Sequence, residues 1–554
     1  MKDAMRHLRD AHAIDRLWAR DATLFSNDPT VQAIVADRLG WLGLASAEDP
    51  MGAGIRGLAA SARQAGVTDL VLLGMGGSSL APLVISRILA SGPEHPHLHV
   101  LDTTAPATIL RVLEELDAAH TWVMVSSKSG TTIEPLSLYA VFCDWLEARL
   151  VAEPVGRHFV AVTDPDTPLA VLAAQKGFRA VISAQSDVGG RYSALTPFGL
   201  APAAVIGADT AAMLASARKM ERLCRTEAEL NPGAHLAAFV VDNAVARRDK
   251  LTLVSSPKLE PFGLWVEQLI AESTGKQGTG IVPVLETSPS IPTGLSPDRA
   301  VIVLRFEDDD LRASWADVAR DEGSPVYEIV IAEASEIGGE FVRWEVATAL
   351  VGVLLGIDPF DEPNVAEAKA ATSAILDGRK RAPAPAFSVD DIAVTYGGPL
   401  KPPAGPPALA EALDPLLDSL KPGDYLAMLV YLPESDALFE PLRMAAKTVS
   451  FATQHAVCLE LGPRYLHSTG QLHKGGPDEG AFLMITAHAS ADLAIPGKRF
   501  DMATLWRAQA EGDLATLTAH RRRVVRLDLP SIDVDVVRGL ADTLSAVAQS
   551  AFGA

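Results

Sequence analysis

The order of apolar and polar positions divides the chain into sections with different periods. Residues 1 to about 66 read as helical and loop-rich, with Leu17-Trp18 and Trp41-Leu42 as packing anchors. Short apolar runs then follow at 70–73, 97–101, 122–125, 159–162 and 180–182, separated by longer stretches of helical period. Runs without strict alternation, spaced this way, predict parallel strands covered on both faces. A second and less regular α/β section begins near residue 235, with strand candidates at 251–254, 300–304 and 326–331 and a helical run over 341–355. From Arg381 to Pro407 the chain turns rich in proline, alanine and glycine, as a semi-rigid linker or surface excursion would be. Strand candidates resume at 425–432, 457–461, 481–486 and 524–527.

The pattern predicts an α/β protein with doubly wound parallel sheets. Its expected divisions are a helical segment over 1–66, a first sheet domain over 67–234, a second over 235–380, a linker over 381–410, and a C-terminal α/β section over 411–554. That last section either completes the second domain or stands as an additional unit.

Length and composition agree with large buried cores: 554 residues, of which 48% are apolar. A formal charge of -21 excludes an extended nucleic-acid surface, which needs clustered Lys and Arg. Cys143, Cys224 and Cys458 lie far apart, with neither metal-ligand spacing nor a disulfide framework, as in a reducing compartment. The opening Met1-Lys2-Asp3-Ala4-Met5-Arg6-His7 is unlike a secretory signal, and the apolar stretch 347–357 falls short of the roughly 20 residues that cross a bilayer. A cytoplasmic protein without membrane or nucleic-acid partners is expected.

Two segments carry candidate chemistry. Leu73-Gly74-Met75-Gly76-Gly77-Ser78-Ser79 and Ser126-Ser127-Lys128-Ser129-Gly130-Thr131-Thr132 each follow an apolar run and precede a helical pattern. A glycine turn aims backbone N–H groups at an anion, hydroxyls add donors, and the next helix presents its positive end. Gly77, Ser78, Ser127, Lys128, Ser129, Thr131 and Thr132 are therefore candidates for holding a phosphate.

Three further residues can do acid–base work. Glu272 sits where an apolar helix face gives way to a turn, so partial desolvation would raise its pKa toward that of a general base; a helix-end charge paired with Lys276 is the plainer alternative. Arg191 follows Gly189-Gly190 and can offset a developing oxyanion, or be a surface charge. His467 can exchange protons near neutral pH, or hydrogen-bond within the fold. His467 and His473 do not have zinc-site spacing, and no metal or cofactor is expected.

Together these segments resemble the glucose-6-phosphate isomerase family, which is built from two sugar-isomerase (SIS) domains. Gly76-Gly77-Ser78 and Ser127 to Thr132 resemble its phosphate loops, and Gly189-Gly190-Arg191-Tyr192-Ser193 resembles the segment bearing its arginine. Gln268 and Glu272 keep the spacing of its glutamine and base glutamate, and Phe360 to Lys369 looks like its phenylalanine-aspartate-glutamine segment ending in a functional lysine. Two positions depart from that last pattern, with Glu362 in place of glutamine and Asn364 in place of glycine. The histidine loop of the family falls between glutamate and lysine, yet the similar Leu466-His467-Ser468-Thr469-Gly470-Gln471 comes after both. That order resembles the isomerase half of fused transaldolase/glucose-6-phosphate isomerase proteins, without the transaldolase barrel of about 250 residues.

The resemblance implies interconversion of glucose 6-phosphate and fructose 6-phosphate through an enediolate. Catalytic roles would fall to Glu272, His467, Lys369 and Arg191, and substrate contacts to Gly190, Gln268 and the two loops. Another sugar phosphate, a sulfonated sugar, or a non-catalytic sugar-phosphate sensor remain as alternatives. It further implies a homodimer in which His467 enters the neighbouring subunit's site.

Overall fold

The computed structural model describes residues 2–552 except 90, 91, 93, 152, 153, 287–294, 382 and 405–407. Ala382 and the Gly405-Pro406-Pro407 part of the expected linker thus lie outside the described residues.

The first sheet contains β1 (Asp69–Leu73), β2 (His97–Leu101), β3 (Thr121–Ser126), β4 (Phe159–Thr163) and β5 (Ala180–Ser183). All pairings are parallel, in the order β2-β1-β3-β4-β5. The second contains β6 (Lys250–Ser255), β7 (Val282–Glu286), β8 (Arg299–Phe306) and β9 (Val326–Ile331), also parallel, in the order β7-β6-β8-β9. Of these, β7 is absent from the apolar pattern: Val282-Pro283-Val284 is short and carries a proline, which an edge strand tolerates.

The C-terminal section forms its own mixed sheet and does not extend the second. Its strands are β10 (Phe387–Val389), β11 (Ile392–Gly397), β12 (Tyr425–Tyr431), β13 (Ala456–Leu461), β14 (Gly480–Ala487) and β15 (Arg523–Leu529), in the order β10-β11-β15-β14-β12-β13. The stretch 381–410 is more than a spacer, because β10 and β11 make a hairpin there and β11 pairs antiparallel to β15. Without that hairpin the sheet reads β13-β12-β14-β15, the same second-first-third-fourth order as the other two. Three doubly wound units thus share one winding, and each reverses direction between its first and third strands.

Burial explains the runs. Every residue of β3, β6, β12, β14 and β15 is buried, as expected of strands covered by helices on both faces. The first two units share a continuous apolar core that runs from Leu8 to Phe360. The third has its own, from Ile392 to Ala548, and meets the others through a smaller cluster in which Ala105, Ala271 and Val284 pack with Tyr431, Tyr465 and Leu472. Among the described residues no helix is long and apolar enough to cross a membrane.

Candidate functional site

The site assembles at the carboxyl ends of β1 and β3, on either side of the reversal point of the first sheet. Gly76 adopts φ of +57°, a left-handed conformation that suits glycine, and ends β1's turn ahead of the helix Gly77–Ile88. A Cβ on Gly77 would lie 1.9 Å from the carbonyl oxygen of Gly190, and one on Gly76 would lie 2.8 Å from Gln268 Nε2 and 3.0 Å from the His467 oxygen. The glycines are therefore required by close approach: this turn is where the arginine, glutamine and histidine segments meet.

After β3, Ser127 Oγ and Thr132 Oγ1 lie 3.0 Å apart, and Ser129 Oγ and Thr131 Oγ1 lie 2.9 Å apart. Thr132 caps the helix Ile133–Glu147 without using its hydroxyl on the backbone, which leaves that hydroxyl directed at its neighbour. Lys128 turns aside: its ammonium donates to the Asp164 carboxylate and, at 2.8 Å, to the Ser186 carbonyl.

Glu272 lies in the last turn of the helix Glu260–Thr274, buried. Its partner is not Lys276, whose ammonium donates to Asp361 Oδ1 and the Asp361 carbonyl, both at 2.6 Å. One carboxylate oxygen of Glu272 instead lies 3.5 Å from Arg191, and the other accepts from Gln268 Nε2 at 3.1 Å. Burial pushes the Glu272 carboxyl above its usual range and the nearby Glu362 charge adds to this, while Arg191, His467 and Lys276 pull it back without cancelling the rise.

Arg191 is buried and fully engaged. Its Nε donates to Ser273 Oγ at 2.9 Å, one terminal nitrogen to Glu362 at 3.0 Å, and the other to the carbonyls of Pro359 and Asp361 at 2.9 and 2.8 Å. Glu362, a departure from the family pattern, thus serves as a counter-ion that fixes the guanidinium.

His467 comes from the third unit of the same chain, so the expected histidine from a neighbouring subunit is not needed to reach this pocket. Gln268 Nε2 donates to the His467 carbonyl at 2.8 Å, and the His467 Nε2–H faces Glu134 Oε1 at 3.0 Å. Glu134 opens the helix after the second hydroxyl loop and is buried. Burial alone would raise its pKa, but His467 and Lys369 more than offset that, so the carboxyl sits below its ordinary value. The same oxygen accepts from Gln509 Nε2 at 2.8 Å, whose own Oε1 accepts the Thr104 hydroxyl at 2.6 Å. An ionised carboxylate cannot donate, which fixes the Gln509 amide with its nitrogen toward Glu134. Lys369 stands exposed on the helix Pro363–Leu376, close enough for its charge to act on Glu134.

The histidine turn is held at several points. Arg464 donates to both oxygens of buried Asp102, at the end of β2, at 2.8 and 2.9 Å, and Tyr465 donates to Asp513 at 2.7 Å. A Cβ on Gly275 would lie 2.3 Å from Leu472 Cα, so the glycine that ends the Glu272 helix lets the His467 segment pack against it. Asn364, the other departure, receives Gln471 Nε2 on its side-chain oxygen at 2.8 Å and donates its own backbone N–H to Gln471 Oε1 at 2.8 Å.

Sequence reasoning missed Glu134, Gln509, Thr104, Asp102 and Arg464. A carboxylate directly after a hydroxyl-rich loop marks Glu134 as unusual; nothing local distinguishes the others. Glu267, one residue before Gln268, lines a cavity of about 720 Å³ where residues of all three units meet, Leu83 and Val100 of the first, Leu253 and Val284 of the second and Phe439 and Leu459 of the third. Burial and the nearby Glu460 charge push its carboxyl well up.

Residues 55–288 match the model of the phosphoglucose isomerase family. A glucose-6-phosphate isomerase of Rubrobacter xylanophilus is 29% identical over 394 residues, 62% of this chain and 90% of the relative. One of Thermus thermophilus is 38% identical over 237 residues, 40% of this chain and 54% of the relative, so that match spans about half of the relative's length. Among solved structures, a Thermus thermophilus protein described as hypothetical superposes with a TM-score of 0.58 at 27% identity, covering 68% of this chain and 97% of its own. A glucose-6-phosphate isomerase of Chlamydia trachomatis shares the fold, with a TM-score of 0.53 at 20% identity over 66% of this chain and 78% of its own. The fold is α/β, with two parallel sheets and a mixed C-terminal sheet. At these identities the chain is glucose-6-phosphate isomerase-like.

Proposed function

We propose, from the match of residues 55–288 to phosphoglucose isomerase, that the protein interconverts glucose 6-phosphate and fructose 6-phosphate. The observation that carries this reading is the Gln268 amide, which bridges Glu272 at 3.1 Å and the His467 carbonyl at 2.8 Å and so joins a base and a proton-exchanging imidazole in one pocket.

In this reading the hydroxyls of Ser127, Ser129, Thr131 and Thr132, with the start of the helix Gly77–Ile88 at Ser78, hold the phosphate. Donation from His467 Nε2–H to Glu134 leaves Nδ1 as the basic nitrogen, which takes the proton from the anomeric hydroxyl and, with Lys369 assisting, delivers it to the ring oxygen as the C1–O bond of the ring breaks and the sugar opens. Glu272 then removes the proton at C2 and returns it at C1, and the negative charge that builds on the enediolate oxygens is offset by Arg191. A base of raised pKa suits this transfer, since it must both accept and release the proton near neutral pH. Gln268 Oε1 and Glu134 Oε2 are buried and accept no hydrogen bond among the described residues, which favours a polyhydroxy substrate that can donate to them.

The test is the Glu272→Gln variant in a coupled assay with glucose 6-phosphate. Turnover should fall by roughly 100- to 10,000-fold, the usual contribution of a general base, with phosphate-dependent binding retained. Near-normal turnover would refute the role of Glu272. A panel including mannose 6-phosphate separates this substrate from other hexose phosphates.

A further inference from the structure

Away from this pocket, at the opposite end of the first sheet, three ligand-type atoms converge. His97 and His99 alternate along β2, so their rings lie on one face, and Asp69 on neighbouring β1 is in register with His97. His99 Nε2 is 2.8 Å from Asp69 Oδ1 and 3.1 Å from His97 Nδ1, and all three atoms lie within 4.8 Å of one another. The sequence reading found no metal spacing because Asp69 is distant along the chain and joins the two histidines only across the strand pair.

An imidazole nitrogen has a single in-plane position for a hydrogen or a lone pair. Here that position on His99 Nε2 is approached by two acceptor-type atoms at once, and one proton shared between them serves both poorly. A cation placed among them takes a lone pair from each. Bond lengths of about 2.0–2.1 Å in tetrahedral geometry separate ligand atoms by about 3.3 Å; the two spacings to His99 Nε2, 2.8 and 3.1 Å, lie within about half an ångström of this, and the Asp69 and His97 atoms, within 4.8 Å of each other, close to it by side-chain rotation.

We infer that Asp69, His97 and His99 form a binding site for a divalent transition-metal ion of the zinc class, with a fourth position open to water. Two imidazoles and one carboxylate suit such an ion better than calcium or magnesium, which prefer oxygen ligands throughout. The outer contact that orients a ligand is also present, since the Thr68 hydroxyl donates to Asp69 Oδ2 at 2.7 Å. The site fastens the amino end of β2, an edge strand, to β1. The carboxyl end of that strand leads directly to Asp102 and Thr104, which hold Arg464 and Gln509. The ion's role is therefore structural, and the site does not depend on the isomerase reading.

The full-length protein, stripped with EDTA, is titrated with Zn²⁺ by calorimetry and followed by thermal melting, and Co²⁺ substitution is read by visible absorption. One saturable site, a zinc-dependent rise in melting temperature and tetrahedral cobalt bands are expected. His97→Ala and His99→Ala should each abolish all three, and Thr68→Val should weaken binding by roughly 10- to 100-fold. Should His99→Ala fail to fold, the exposed His97 position carries the test. Absence of saturable zinc binding, or binding equal in the wild type and His97→Ala, would overturn the assignment.

Discussion

His467 and Glu134 face each other at 3.0 Å although 333 residues separate them, and they join the first and third α/β units inside the candidate site. Glu134 is buried and the His467 side chain is 11% exposed, and Gln509, also from the third unit, donates to the same Glu134 oxygen at 2.8 Å. An acceptor held on both sides keeps the histidine in one tautomer, with Nε2 protonated. The third unit therefore supplies the histidine and also part of the clamp that orients it.

Replacing Gln509 with Leu removes a donor that favours the ionised form of Glu134. The carboxyl then protonates at higher pH, and a protonated Glu134 holds the Nε2–H of His467 less well. The acid limb of the kcat/KM profile should move upward with little change in KM. A unit-sized shift corresponds to about 1.4 kcal/mol of lost stabilisation of the carboxylate. An unshifted profile with reduced protein stability would assign Gln509 a purely structural role.

Glu362→Gln should move the same limb the other way. The Glu362 charge helps raise Glu272 and also occupies Arg191 at 3.0 Å. Without it, Glu272 loses a like charge and Arg191 is freer to pair with it, and both changes favour the carboxylate. Activity should persist to lower pH, as measured by initial rates across the acid range.

Because one chain carries both Glu272 and His467 in contact with Gln268, inactive variants should not complement each other. Mixing Glu272→Gln with His467→Ala, under conditions that exchange subunits, is expected to give no recovered turnover. Recovery would show that the histidine acts between chains.

Asp102→Ala removes the carboxylate whose two oxygens accept from Arg464 at the end of β2, where the Arg464 and Asp102 side chains are 13% and 1% exposed. Breaking a buried pair leaves an uncompensated charge and costs on the order of 3–5 kcal/mol, reduced here because Glu434 also accepts from Arg464 at 3.0 Å. Denaturant unfolding should show the loss. Turnover should fall with it, since Arg464 anchors the turn that carries His467.

Gly77→Ala is a test of packing in the glycine loop after β1. Its Cβ would lie 1.9 Å from the Gly190 carbonyl, so the two turns must separate and Arg191 must move. A large drop in turnover, with secondary structure preserved by circular dichroism, is expected.

Most elements, and several of the side chains that the candidate site gathers, follow from residue order alone. Runs such as Leu70 to Leu73 and Trp122 to Val125 are strands because they are fully buried between helices, a condition visible as unbroken apolar character. The glycine and hydroxyl loops, Arg191, Gln268 and Glu272 are legible because each sits in a local pattern tied to a turn or helix end. Strand β7 and the hairpin β10–β11 are not, since short edge strands are specified by their neighbours more than by their own residues. The three-dimensional arrangement adds that the C-terminal section is a third unit of the same winding, and that it brings His467 to Gln268 and Glu134. It also pairs Lys276 with Asp361 and Lys128 with Asp164, leaving Arg191 as the charge beside Glu272. Such pairings join residues tens to hundreds of positions apart, so they depend on how whole sheets dock. The paired turns at Gly77 and Gly190 are close because their backbones touch, and no local pattern records that contact.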